Sequence, residues 1–155
     1  MMNLEEMKAD LLETYKADLC EESIEAINNA KDLPEFIRLL AKFSAFLNYK
    51  EIPKIDWVNK WFNTPELMKV ANDNGVYYKG FATIVNPTLH IVLMGDVKAV
   101  VTCAQPHMYQ ITAQDDSNVE IATFCNCFVK LRMKGNSKHK VITKNQYSRI
   151  VVNKI

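Results

Sequence analysis

A chain of 155 residues, 48% of them hydrophobic and with a net charge of +1, can bury the core of one domain or of two small ones. Its most apolar stretch, GFATIVNPTLHIVLMG, is broken by Asn86, Pro87 and His90, which excludes a membrane-spanning helix there. The start, MMNLEEMKAD, is acidic where a secretory signal is basic and then apolar, so the four cysteines are expected as reduced thiols in a soluble cytoplasmic protein.

The first half has helical periodicity. Leu4, Met7, Leu11, Leu12, Tyr15 and Leu19 recur at three- and four-residue steps, behind Asn3 as a cap and with Glu5 and Glu6 in the first turn. EESIEAINNA predicts a second, shorter helix. Asp32 or Leu33 then leads into Pro34 and a third helix, whose Phe36, Leu39, Leu40, Phe43, Phe46 and Leu47 make a broad apolar face. Trp57 and Trp61 stand one turn apart in the next helix and are expected in the core, and Thr64-Pro65 caps and restarts a further one. NDNG at 72–75 is turn chemistry and closes the helical half.

From residue 86 the chain divides into tens: NPTLHIVLMG, DVKAVVTCAQ, PHMYQITAQD, DSNVEIATFC, NCFVKLRMKG, NSKHKVITKN and QYSRIVVNKI. The sixth place is Ile91, Val101, Ile111, Ile121, Leu131, Val141 and Val151, aliphatic throughout, and the first place is mostly Asn or Asp. Each unit reads as a half-buried strand with places four, six and eight inward, followed by a tight turn.

An antiparallel meander would fit the length but gives no reason for like residues to recur at like places. A β-solenoid with two units per coil does, because each residue then lies over the one twenty places on. The columns expected are Val101, Ile121 and Val141; Ile91, Ile111, Leu131 and Val151; and Cys103, Thr123 and Thr143, with Glu120 outside over Lys140. The fold class is therefore α+β, a helical head at 1–75 capping the first coil of a short solenoid at 76–155. At the other end no cap is expected, which makes Ile150, Val151, Val152 and Ile155 a candidate interaction edge.

Charge is distributed unevenly. Residues 1–79 carry 14 acids against 10 bases, residues 80–155 carry 4 against 9, and no acid follows Glu120. Lys130, Arg132, Lys134, Lys138, Lys140 and Lys144 form a candidate basic patch for nucleic acid or an acidic partner, although lysines on strands also simply deter aggregation.

Catalytic material is sparse. Twenty-residue stacking sets His107 beside Cys127, near Cys125, which is the raw material of a thiolate or zinc site, but the set is incomplete and inward cysteine also serves as small filler. With four glycines and no phosphate-cradling or nucleophile-elbow motif, no enzyme, catalytic residue, cofactor or metal is expected.

In its combination of LCEESIEAINNA…IPKIDWVNKWF with D-S-x-V-x-I and N-C-x-V-x-L units, the chain resembles small proteins of gut bacteria and of their mobile elements and phages. The resemblance implies a helical head on a repeat-built tail and carries no activity or functional residue with it. The five-residue A(D/N)Lxx period of pentapeptide-repeat solenoids is absent. A non-enzymatic interaction or assembly protein is the expectation, associating with itself or with another protein through its last coil.

Overall fold

The computed structural model describes residues 3–46 and 51–155. Five helices come first: α1 (Leu4–Tyr15), α2 (Glu21–Asn29), α3 (Leu33–Phe46), α4 (Ile55–Trp61) and α5 (Pro65–Asp73). Their starts are set by the caps the sequence offers. Asn3 accepts the Glu5 N–H at 2.9 Å and Thr64 the Leu67 N–H at 3.2 Å. Asp32 accepts from Glu35 N–H at 2.8 Å while the Glu35 carboxylate reaches back to Lys31 N–H at 2.9 Å, a reciprocal pair of the capping-box kind. The far end of α2 is closed by Lys8, whose buried ammonium donates to Ala30 O at 2.6 Å. Trp57 is buried in the head and Trp61 donates its indole N–H to Asp10 at 2.6 Å, so the tryptophan pair belongs to the core and its rim. Leu47, expected on the face of α3, lies outside the described residues.

Nine strands follow: β1 (Val76–Tyr77), β2 (Phe81–Val85), β3 (Ile91–Leu93), β4 (Lys98–Cys103), β5 (Met108–Ala113), β6 (Asn118–Thr123), β7 (Phe128–Met133), β8 (Lys138–Lys144) and β9 (Arg149–Lys154). Odd-numbered strands form one sheet and even-numbered strands the other, and every pairing is parallel. This is a β-solenoid of about four turns, and the meander is excluded. Ile121 lies between Val101 and Val141, and Ile111 between Ile91 and Leu131, as twenty-residue stacking requires. Between the sheets these columns form a continuous apolar core with Tyr109, Val119, Val129 and Met133.

Two parts of the register depart from the decamer. The first coil is shorter: β1 pairs with β3 at a spacing of sixteen residues and β2 with β4 at seventeen, so it has no trace in the period. In β8 the register shifts after Ile121, and Ala122 lies against Thr143 and Thr123 against Lys144. The extra residue, Ile142, forms a bulge. All later pairings are displaced by one, so Val152 and not Val151 lies over Leu131, and Val151 lies over Lys130 on the outer face. The expected columns ending in Thr143 and Val151 are corrected accordingly.

The head sits elsewhere than on the end of the first coil alone. Val76, Tyr78, Val92 and Met94 share one buried cluster with the helices, and α3 packs across the outer face of the odd-numbered sheet as far as β5. The helices therefore flank the rod as well as start it. Among the described residues, no helix is long and apolar enough to cross a membrane.

Candidate functional site

Strand order leaves β8 and β9 at one edge of each sheet, with no strand of the described residues beyond them. Which of their backbone groups are free follows from ladder parity. Arg149 and Ile155 donate their N–H groups to Cys127 O at 2.9 Å and Met133 O at 2.9 Å. Residues an even number of places from them face β7, so Ile150, Val152 and Lys154 turn N–H and C=O away from it. Lys138 donates to Ser117 O at 2.9 Å, which turns His139 and Val141 outward along β8 in the same way.

The side chains of those residues point into the rod, where the next coil would cover them. Val141, Ile150 and Val152 extend the inner columns of Ile121, Val129 and Leu131. Being last, they stay partly open: Val141 is 39% exposed, while Val101 in the same column is 0% exposed. The end of the rod is thus an apolar centre framed by unpaired strand backbone. Of the four residues expected at this edge, Ile150 and Val152 belong to it directly. Val151 faces outward, and Ile155 follows β9 with its N–H already used.

Both strands begin and end on a base. Lys138 and Lys144 bound β8, and Arg149 and Lys154 bound β9. On the inner side they lie against Asn118, Thr123, Phe128 and Met133, none of them acidic. Arg149 stands over the Phe128 ring at 5.8 Å, and none of the four is in an ion pair among the described residues.

The basic block as a whole does not form one patch. Arg132 and Lys134 are 7% and 5% exposed on the outer face of the odd-numbered sheet, where Lys134 reaches the C-terminal turn of α3. Arg132 donates to Gln110 at 3.3 Å and Lys134 to Ser44 O at 2.8 Å, and burial lowers the proton affinity of both. Lys138 and Lys140 stand on the outer face of the other sheet with Lys98, where they line a shallow groove of about 390 Å³ with Phe81 and Glu120. Lys130 remains on the first sheet, and Lys144 lies over Thr123 at the end of β8.

The thiols gather differently from expectation. The backbone of His107 does stack on Cys127, since Phe128 N–H donates to His107 O at 3.1 Å, but the exposed imidazole packs edge-on to Tyr109. Cys127 is buried and faces Cys125 and Cys103 instead. Burial, reinforced by the neighbouring sulfurs, pushes the Cys103 thiol up to about 12, which leaves it protonated and unreactive at neutral pH. Cys103 was the member missed by sequence, though its inward place in the decamer already put it near that corner. Among the described residues, no three His, Cys, Asp or Glu side chains are arranged to hold a metal ion.

A cleft of about 870 Å³ runs between the head and one corner of the rod, bordered by Ile55, Phe62, Pro65 and Met68 on one side and by Asp96, Asp115 and Asp116 on the other. Asp115 holds a positive φ of 57° in a corner column otherwise made of Gly95 and Gly135, and its carboxylate accepts the Gly95 N–H at 2.8 Å. The cleft is also lined by Asn59, Asn63, Thr64 and Lys79, and of its three carboxylates that of Asp115 is held by the turn. No protein-family model, curated protein or solved structure matches this chain.

Proposed function

We propose that the protein is a non-enzymatic interaction module that takes up an extended segment of polypeptide by strand addition at the open edges of β8 and β9. The observation that supports the reading is the parity of that edge. The residues whose backbone groups are unpaired, among them Val141, Ile150 and Val152, are the same ones whose apolar side chains lack a covering layer. An added strand would satisfy both deficits at once, main chain giving affinity and alternate side chains giving selectivity. The rival reading, a basic surface for nucleic acid, is weakened by the burial of Arg132 and Lys134 and the division of the other cations among different faces.

The test uses a peptide that copies the coil Asn118–Met133, with Cys125 and Cys127 changed to Ser and a fluorophore at its N-terminus. The wild-type protein is expected to bind it by fluorescence anisotropy. Val152→Pro removes an edge-facing N–H without touching the ladder to β7 and should weaken binding about tenfold, the equivalent of roughly one backbone hydrogen bond and some edge distortion. Equal binding by the wild type and the variant, or no binding by either, would refute the reading.

A further inference from the structure

The four bases that bound β8 and β9 restrict what can add to this edge, and the restriction rests on the strand-addition reading above. A second copy can approach in two ways. Tail to tail, any two-fold arrangement sets corner on corner, so that bases from Lys138, Lys144, Arg149 and Lys154 face bases. Head to tail, they would meet the first coil, whose residues 75–95 contain no acid, whose β1 is packed against α5, and beside which Asp73 is already paired with Lys69. Two columns change character in the last coil alone. Cys103 and Thr123 are followed by Lys144, and Ala113 and Met133 by Lys154. Inward lysines on an edge strand keep like from adding to like. They also leave an apolar centre with unneutralised cations at its corners, and that combination is complementary to something else.

Spacing decides the class of partner. Lys138 and Lys144 stand at the two ends of one strand, roughly 17–20 Å apart at ~3.3 Å per residue, with Val141 between them. A phosphate backbone carries charge at every nucleotide and would set charge over the valine. An extended peptide can keep its acids at the ends and apolar side chains between. We infer that the occupant is an extended polypeptide segment with acidic residues at its strand ends and apolar residues at alternate places between them, and that it is not a second copy of this chain.

Three versions of the coil peptide decide the matter. In the ladder, Asn118, Thr123, Phe128 and Met133 are the residues that lie against the four bases. Peptides carrying Glu, Gln or Lys at those four positions, with the same Ser replacements, are titrated into the full-length protein, and a single-stranded oligonucleotide is run beside them. The Glu peptide should bind at least tenfold tighter than the Gln peptide, and the Lys peptide weakest. The preference should shrink in 1 M salt, where the screening length falls to about 3 Å. The double variant Lys144→Thr with Lys154→Met restores the residues of the coil above and should lose most of the preference while still binding the Gln peptide. Equal binding of Glu and Gln peptides overturns the charge inference and leaves strand addition standing; no peptide binding overturns both. Tight oligonucleotide binding with none of peptide moves the site to another class of ligand. Concentration-dependent association of the wild type that the Glu peptide cannot compete away would make a second copy the occupant.

Discussion

The openness of the last coil can be weighed with one substitution made twice in one column. Val101 and Val141 both lie against Ile121, one above and one below, but Val101 is 0% exposed and Val141 39% exposed. Valine to alanine removes two carbons, worth about 0.8 kcal/mol each when buried. At Val101 that is ~1.6 kcal/mol plus a cavity term, because the coils above and below hold the gap open, so about 2–3 kcal/mol is expected. At Val141 about three-fifths of the surface is covered, and solvent or a shift of the edge fills the space, which leaves ~1 kcal/mol. Urea denaturation followed by far-ultraviolet circular dichroism reads the difference as two shifts in midpoint at equal slope, the one for Val101→Ala at least twice the other. An equal loss at both positions would mean that the end of the rod is covered, and strand addition there would have no vacant edge to use.

Other measurements test separate parts of the structure. Arg132 donates to the Gln110 carbonyl, which turns the Gln110 amide toward His90 Nε2 at 3.1 Å and requires that nitrogen to be an acceptor. Burial first, then the charges of Arg132 and Lys42, lowers the His90 pKa below 6.5. The unfolded chain therefore binds the proton more readily, and stability should fall as pH drops from 6.5 toward the folded value, with His90→Gln flattening that slope in melts from pH 7 to 5. Thiol-reactive dye at pH 7.5 should label exposed Cys20 first, whose proton is loosened by the Ser23 hydroxyl, while Cys103 and Cys127 react only on unfolding; early labelling of Cys103 by mass mapping would contradict their burial. Gly75→Ala would drive a methyl group into the His90 carbonyl at a φ of 96°, and a loss of more than ~3 kcal/mol, read as insolubility or a collapsed melting temperature, is expected. Deleting Ile142 should leave every other pairing in place and cost under ~1 kcal/mol, since that residue has no partner across the ladder; exchange of the β9 amides should be unchanged.

The stacking was legible because a parallel ladder asks for the same kind of residue at the same place in each layer, and Ile91 to Val141 answer it. The helix starts were legible for a local reason, as Asn3 and Thr64 act on N–H groups two or three residues away. What could not be read lies in distances between elements. The first coil hid because a winding of sixteen or seventeen residues breaks the count while keeping the ladder. The bulge at Ile142 hid because an aliphatic residue beside Val141 fits either register, and with it the true inner face of β9 was misplaced by one. Arg132 and Lys134 read as surface because alternation tells which face a residue is on, and only tertiary packing, such as the contact of Lys134 with Ser44 of α3, tells whether that face is wet. Of the residues expected at the edge, Ile150 and Val152 lie over Val129 and Leu131 in the inner columns, while the pairing of Lys144 and Lys154 with those columns needed the register.

The bulge in β8 has a consequence for growth. A fibril lengthens only if each new layer repeats the one beneath it, and an inserted residue gives this layer a sharper twist than the six-residue strands β4 and β6 that it follows. A rigid copy of the chain finds no matching lattice plane there, whereas a short flexible segment can bend to follow it. One surplus isoleucine thus works against end-on growth of the rod by its own copies.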